Sequence, residues 1–122
     1  MIKYYKAPDI EMMLRDVTHK LRINHDLSRV ACIRSRGSKS RRMLARCHTV
    51  SKAVQAGLDI KAHYVIEVIS ENFDKLGNEE KVKTIIHEMM HIPKAFGGGF
   101  KGHGYANRRT VEKMYQNYKS SI

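Results

Sequence analysis

Two histidines four residues apart, with a glutamate directly after the first, stand at His87-Glu88-Met89-Met90-His91. One turn of α-helix brings positions i and i+4 onto the same face. Two imidazoles so placed can bind one Zn²⁺ at about 2.0–2.1 Å. Glu88 falls roughly 100° around the helix, beside the metal. A carboxylate there can take a proton from metal-activated water and pass it to a leaving amine. The implied chemistry is zinc-dependent hydrolysis of a peptide bond, with Glu88 as general acid/base and a protein or peptide as substrate.

A catalytic zinc needs a third protein ligand and keeps one position open. Downstream of His91 there is one further histidine, His103, and one carboxylate side chain, Glu112. His103 lies in Lys101-Gly102-His103-Gly104, where flanking glycines let the backbone bend close to a metal. Glu112 belongs to a helical pattern with Val111, Met114, Tyr115 and Tyr118 as its buried stripe. His103 is the favoured ligand and Glu112 the runner-up. Tyr105 is close enough in sequence to be a candidate donor to a tetrahedral oxyanion. His19, His25 and His63 read as structural or surface residues. Cys47 and His48 are adjacent in a strand pattern, so they point to opposite faces and would not share a metal.

These residues need a helix to position them, and the flanking sequence supplies one. With His87 at zero on a wheel of 100° per residue, His91 falls at about 40° and Thr84 at about 60°. Val82, Ile85, Ile86, Met89, Met90 and Ile92 fill an arc from roughly 140° to 300°. The helix therefore has an apolar back and a histidine front. Asn78 is the expected N-cap, and Glu79 and Glu80 suit the positive end of the helix dipole. Pro93 ends the helix just after His91. Gly97, Gly98 and Gly99 allow the chain to turn sharply.

The remaining elements follow in α+β order. Pro8-Asp9 opens a helix with Ile10, Met13, Leu14, Val17 and Leu21 on one face. Residues 24–28 form a polar connection. Residues 30–34 and 43–49 read as strands joined through Gly37-Ser38-Lys39-Ser40 as a hairpin turn or short loop. Residues 51–58 suit a short helix. Residues 63–70 form the strongest strand, apolar enough to be buried on both faces. A last helix spans about residues 107–119. There is no internal repeat or linker, and 122 residues suffice for one domain over 1–122.

The chain carries a formal net charge of +11. Between residues 34 and 46 stand six cations and no anion: Arg34, Arg36, Lys39, Arg41, Arg42 and Arg46. On a hairpin they would form a concentrated positive surface able to meet DNA or RNA phosphates with little base specificity. The bland alternative is a solvated basic face. Two cysteines, Cys32 and Cys47, are too few for a disulfide scaffold and are expected to be reduced unless the hairpin register sets them opposite each other. No run of 18 apolar residues exists to span a membrane. Residues 1–6 lack the apolar stretch of a secretory signal, so a cytoplasmic monomer is expected.

Three stretches carry a family resemblance. They are Ile33-Arg34-Ser35-Arg36-Gly37-Ser38-Lys39-Ser40-Arg41-Arg42, the run from His63-Tyr64-Val65-Ile66-Glu67 to Asp74-Lys75-Leu76, and residues 87–103 with His91-Ile92-Pro93-Lys94 and Phe96-Gly97-Gly98-Gly99. Over about residues 30–103 the chain resembles a family of small metallopeptidases from archaea and their viruses, grouped with zincin-like folds and broadly similar to SprT-like proteases. The resemblance implies helices packed on a small sheet, with the motif helix carrying the metal. It marks His87, His91 and His103 as ligands and Glu88 as general acid/base. The competing reading is a basic nucleic-acid-binding module with a structural zinc, which a closed four-ligand site would favour.

Overall fold

The computed structural model describes residues 1–93, 102 and 104–121. Among them the chain forms an α+β arrangement of five helices on a mixed four-stranded sheet, compatible with a small zincin-like domain. The strands are β1 (Lys3–Lys6), β2 (Val30–Arg36), β3 (Ala45–Thr49) and β4 (Tyr64–Ile69). The helices are α1 (Pro8–Lys20), α2 (Lys52–Leu58), α3 (Ser70–Phe73), α4 (Asn78–Met90) and α5 (Arg108–Ser120). Pro8, with its fixed φ, starts α1 where a missing N–H costs nothing. Ile10, Leu14 and Val17 then recur at helical spacing and are buried.

The sheet order is β1-β2-β4-β3. β4 is the central strand, parallel to β2 and antiparallel to β3, while β1 pairs antiparallel with β2 at the far edge. The expected β2–β3 hairpin is therefore incorrect. β4, the most apolar strand, takes the middle position and pairs with both. Residues 37–44 must cross its width rather than turn tightly, and they are tied down along the way. Asn72 Nδ2 donates to the carbonyls of Ser40 (2.9 Å) and Met43 (2.8 Å), and the Gly37 N–H donates to Glu71 Oε2 (2.7 Å). Gly37 has φ +99°, and a Cβ there would come within 2.6 Å of the Met1 carbonyl oxygen, so glycine is required.

Side chains alternate across the sheet. Tyr64, Ile66 and Val68 of β4 join Val30 and Cys32 of β2 in the core, with Ile10, Leu14 and Val17 of α1 and Val82, Ile85, Ile86 and Met89 of α4. The alternate residues Ile33 and Val65 are only half-buried. Among the described residues α1 and α4 thus cover one face of the sheet, while the other is buried at Ser35, Glu67 and Ile69 but only partly covered at Ile33 and Val65. Cys32 and Cys47 both stand opposite Ile66, one on either side of β4, and both are free. The register that would have paired them does not form.

Candidate metal centre and cleft

α4 carries the site. Its apolar arc is buried as the helical wheel requires: Val82, Ile85, Ile86, Met89 and Met90 all face the core. Burying each such side chain contributes about 1.5–3 kcal/mol, enough to fix the rotation of the helix. That rotation leaves His87 and His91 half-buried on the opposite side. The helix begins one residue differently from expectation. Gly77 occupies the N-cap, without a side-chain cap, and Asn78 is the first helical residue. His91 is the C-cap, and the Ile92 N–H reaches back to the Met89 carbonyl at 3.0 Å before Pro93.

Ligand atoms of His87, Glu88 and His91 lie within 4.8 Å of one another. The two imidazoles meet edge to face, with ring centroids 4.9 Å apart. Glu88 is 5% exposed, and its Oε2 is 3.1 Å from His87 Nδ1. That hydrogen bond is the main reason the His87 pKa is raised; burial opposes it, and the Ala106 carbonyl adds a further upward push. A backbone carbonyl on an imidazole is the outer partner that fixes tautomer and ring orientation in metal sites. Ala106 is fully buried at the foot of α5, which brings the segment entering α5 close to the first histidine. Two imidazole nitrogens beside a carboxylate are a donor set suited to a divalent metal of the zinc type.

α5 is fixed by a capping box. Asn107 accepts from the Thr110 N–H at 3.1 Å, and Thr110 Oγ1 accepts from the Asn107 N–H at 3.1 Å. Val111 and Tyr115 are buried, with Met114 and Tyr118 packed against the core, so the predicted stripe is present. Between α4, α5 and the start of β3 opens a cleft of about 730 Å³. His87 and Glu88 line it, with Met43, Leu44 and Ala45 on one rim and Asn107, Arg108 and Val111 on the other.

Lys83, one turn before His87, projects into the same cleft. Its Nζ lies 2.9 Å from Glu112 Oε2 and 3.1 Å from Glu79 Oε2. The Glu112 and Glu79 hydrogen bonds raise its pKa to about 12. The Glu112 carboxylate is therefore engaged away from the histidines, which weighs against its being the third ligand. The favoured ligand, His103, lies outside the described residues, as do Gly97, Gly98 and Gly99. Tyr105 does not line the cleft. It borders a separate depression with Leu21, Ile23, Met89 and Met90, against the apolar back of α4, so the suggested oxyanion role is not supported by its position.

The six cations proposed for phosphates are not equivalent. Arg34 grips Asp9 and Asp74, at 2.6 Å and 2.9 Å, with its side chain 18% exposed. Arg46 Nε lies 3.4 Å from Glu67 Oε1. Arg36, Lys39, Arg41 and Arg42 remain on the surface. Sequence reasoning missed the Ala106 carbonyl, the Lys83 network and the 43–45 rim. Only the α5 start had a local signal, Asn107 three residues before Thr110. No helix among the described residues is long and apolar enough to cross a membrane.

Comparison with known proteins is consistent with this geometry. Residues 2–119 match a family model described as "Putative phage metallopeptidase". No curated protein and no solved structure matches the chain.

Proposed function

The chain belongs to the phage metallopeptidase family, and from that premise we propose that residues 1–122 form one zinc-dependent peptidase domain of the HExxH type, acting as a monomer. We place it beside the zincin-like, SprT-like proteases of archaea and their viruses. The observation that carries the reading is the His87, Glu88, His91 cluster, within 4.8 Å, of which His87 and Glu88 line the wall of a cleft. His87 and His91 would hold the metal with His103 as third ligand. When bound, the metal supplies Lewis acidity, which polarises a peptide carbonyl and lowers the pKa of a water. Glu88 accepts the proton released as the water attacks and delivers it to the departing amine.

The substrate has a place to lie. β3 is an edge strand, and its start forms one rim of the cleft. An extended peptide can add to such an edge through main-chain hydrogen bonds, which aligns a scissile bond with little demand on side chains. A closed structural zinc site is less well supported. Neither cysteine belongs to the cluster, and Glu112 pairs with Lys83. The two free thiols suit a reducing, intracellular compartment.

The test is metal analysis together with proteolysis of an unfolded protein. Wild type should hold about one Zn²⁺ per chain. His87→Ala and His91→Ala should lose it, and His103→Ala should weaken it strongly. Glu88→Gln should keep the metal and lower turnover by about 10²–10⁴-fold. Full activity in Glu88→Gln would remove this mechanism. Zinc lost in Glu112→Ala but kept in His103→Ala would exchange the third ligand.

A further inference from the structure

We propose that the partly covered face of the sheet is a docking surface for single-stranded DNA. On that face Tyr4, Ile33, Val65 and His48, one from each strand, surround a shallow depression of about 290 Å³. Tyr4 is 60% exposed on the edge strand. Lys6 stands opposite Ile33, and Arg46 stands opposite Glu67, so both cations share this face. The arrangement is an apolar floor between two aromatic rings, edged by positive charge.

Charge selects the kind of partner. Residues 30–58 hold seven cations and no acid. The four strands contain one carboxylate, Glu67, which is 2% exposed and bonded to His48 Nε2 at 2.7 Å. No solvent-facing carboxylate in the strands therefore repels a phosphate. Lys39, Arg41 and Arg42 are exposed on the anchored segment that leads from the sheet to the cleft rim. A second copy of the chain would bring the same positive charge against itself.

Shape selects the single strand. Stacking on exposed rings requires a base free of its duplex, whereas a duplex offers mainly phosphates to a flat surface. The sugar follows from the floor. Recognition of RNA uses its 2′-hydroxyl. Here Ile33 and Val65 present hydrocarbon, and the His48 Nε2 is taken by Glu67, so the floor itself offers that hydroxyl no partner.

The experiment is fluorescence anisotropy with labelled oligo-dT of about 12 nucleotides, the matching duplex and oligo-rU, over a salt series. Oligo-dT should bind most tightly, with affinity falling steeply as salt rises. Tyr4→Ala should weaken it about tenfold or more, whereas Tyr4→Phe should preserve it. Lys6→Glu and Arg42→Glu should weaken binding and flatten the salt dependence. The chain has no tryptophan, so the emission of Tyr4→Trp should report contact directly through quenching by the stacked base. Thermal melts establish that each variant is folded. Equal or tighter binding of duplex or oligo-rU would overturn the proposal, as would unchanged oligo-dT affinity in folded Tyr4→Ala. Sedimentation of a dimer that Tyr4→Ala dissociates would assign the face to a second copy instead.

Discussion

The two faces of one sheet are built on opposite rules. Under α1 and α4, the sheet buries Tyr64, Ile66 and Val68 and the charges nearby are matched: Arg34 with Asp9 and Asp74, Lys20 with Asp16, Lys83 with Glu79 and Glu112. On the other side, Ile33 and Val65 are half covered, Tyr4 is exposed, and cations outnumber acids. The covered face packs against α4, which carries the His87, Glu88, His91 cluster, and so fixes its rotation as the proposed catalytic geometry would require. The other face contributes less to the core at Ile33 and Val65, and its one strand carboxylate, Glu67, is paired with Arg46 and His48.

The largest expected effect lies on the covered face. Ile85→Ala removes a fully buried side chain from the back of α4 and should cost about 2–5 kcal/mol in urea unfolding. Ile33→Ala, from the half-buried floor, should cost less than about 1.5 kcal/mol by the same area reasoning. Equal losses would mean that the second face is covered in solution, and the contrast would collapse.

Charge pairing gives the next effect. Arg34→Ala removes the guanidinium partner shared by Asp9 and Asp74 and should cost about 1–3 kcal/mol near neutral pH. Arg34→Lys should recover little, because an ammonium cannot make the paired N–H contacts with each carboxylate that the guanidinium fork makes. Hydrogen bonds from Arg34 are the largest cause of the lowered pKa of both aspartates. A depressed carboxylate pKa stabilises the fold above the unfolded value, near 3.8 here, and that stability is lost as pH falls through the folded value. The gap between wild type and Arg34→Ala should therefore be full above about pH 5 and narrow in more acid solution. A gap independent of pH would show that Arg34 acts through packing alone.

The same contrast explains what could be read from the chain. Helix α4 depends on a period of 3.6 residues, so its rotation and its ends, within a residue, are written locally. Asn78 fell one position off because Gly77 supplies the extended N-cap backbone. The fate of the basic segment is set at a distance: Arg34 meets residues 25 and 40 positions away in sequence. No window around it contains Asp9 or Asp74. The hairpin expectation failed for a related reason. Both flanking strands compete for β4, which enters only at residue 64, and strand order is decided by which strand most needs burial. β1 escaped notice because four exposed residues with lysines at both ends carry no apolar alternation.

A smaller effect should follow from loosening the cleft wall. Asn107→Ala removes the side-chain acceptor of the α5 capping box and should cost about 1 kcal/mol of stability. Because Ala106 precedes it and lies beside His87, zinc affinity should fall as well, by about tenfold if that backbone acts as an outer partner of the metal site. A stability loss with unchanged zinc affinity would separate the cap from the metal site.

The smallest expected effect is none. Cys32 and Cys47 flank β4 at the level of Ile66. Strands lie about 4.8 Å apart, so these two are separated by roughly 9–10 Å, beyond the 7 Å or so that a disulfide can bridge. Burial pushes both thiols up to about 12, with nearby carboxylates adding to it. At neutral pH the thiolate fraction is then very small, and the thiolate is the reactive form. Reductant should leave the melting temperature unchanged, and alkylation should be slow in the native protein and fast in denaturant. Loss of stability on reduction would require a cross-link over β4 and so a different strand order, which would remove the distinction between the two faces at its source.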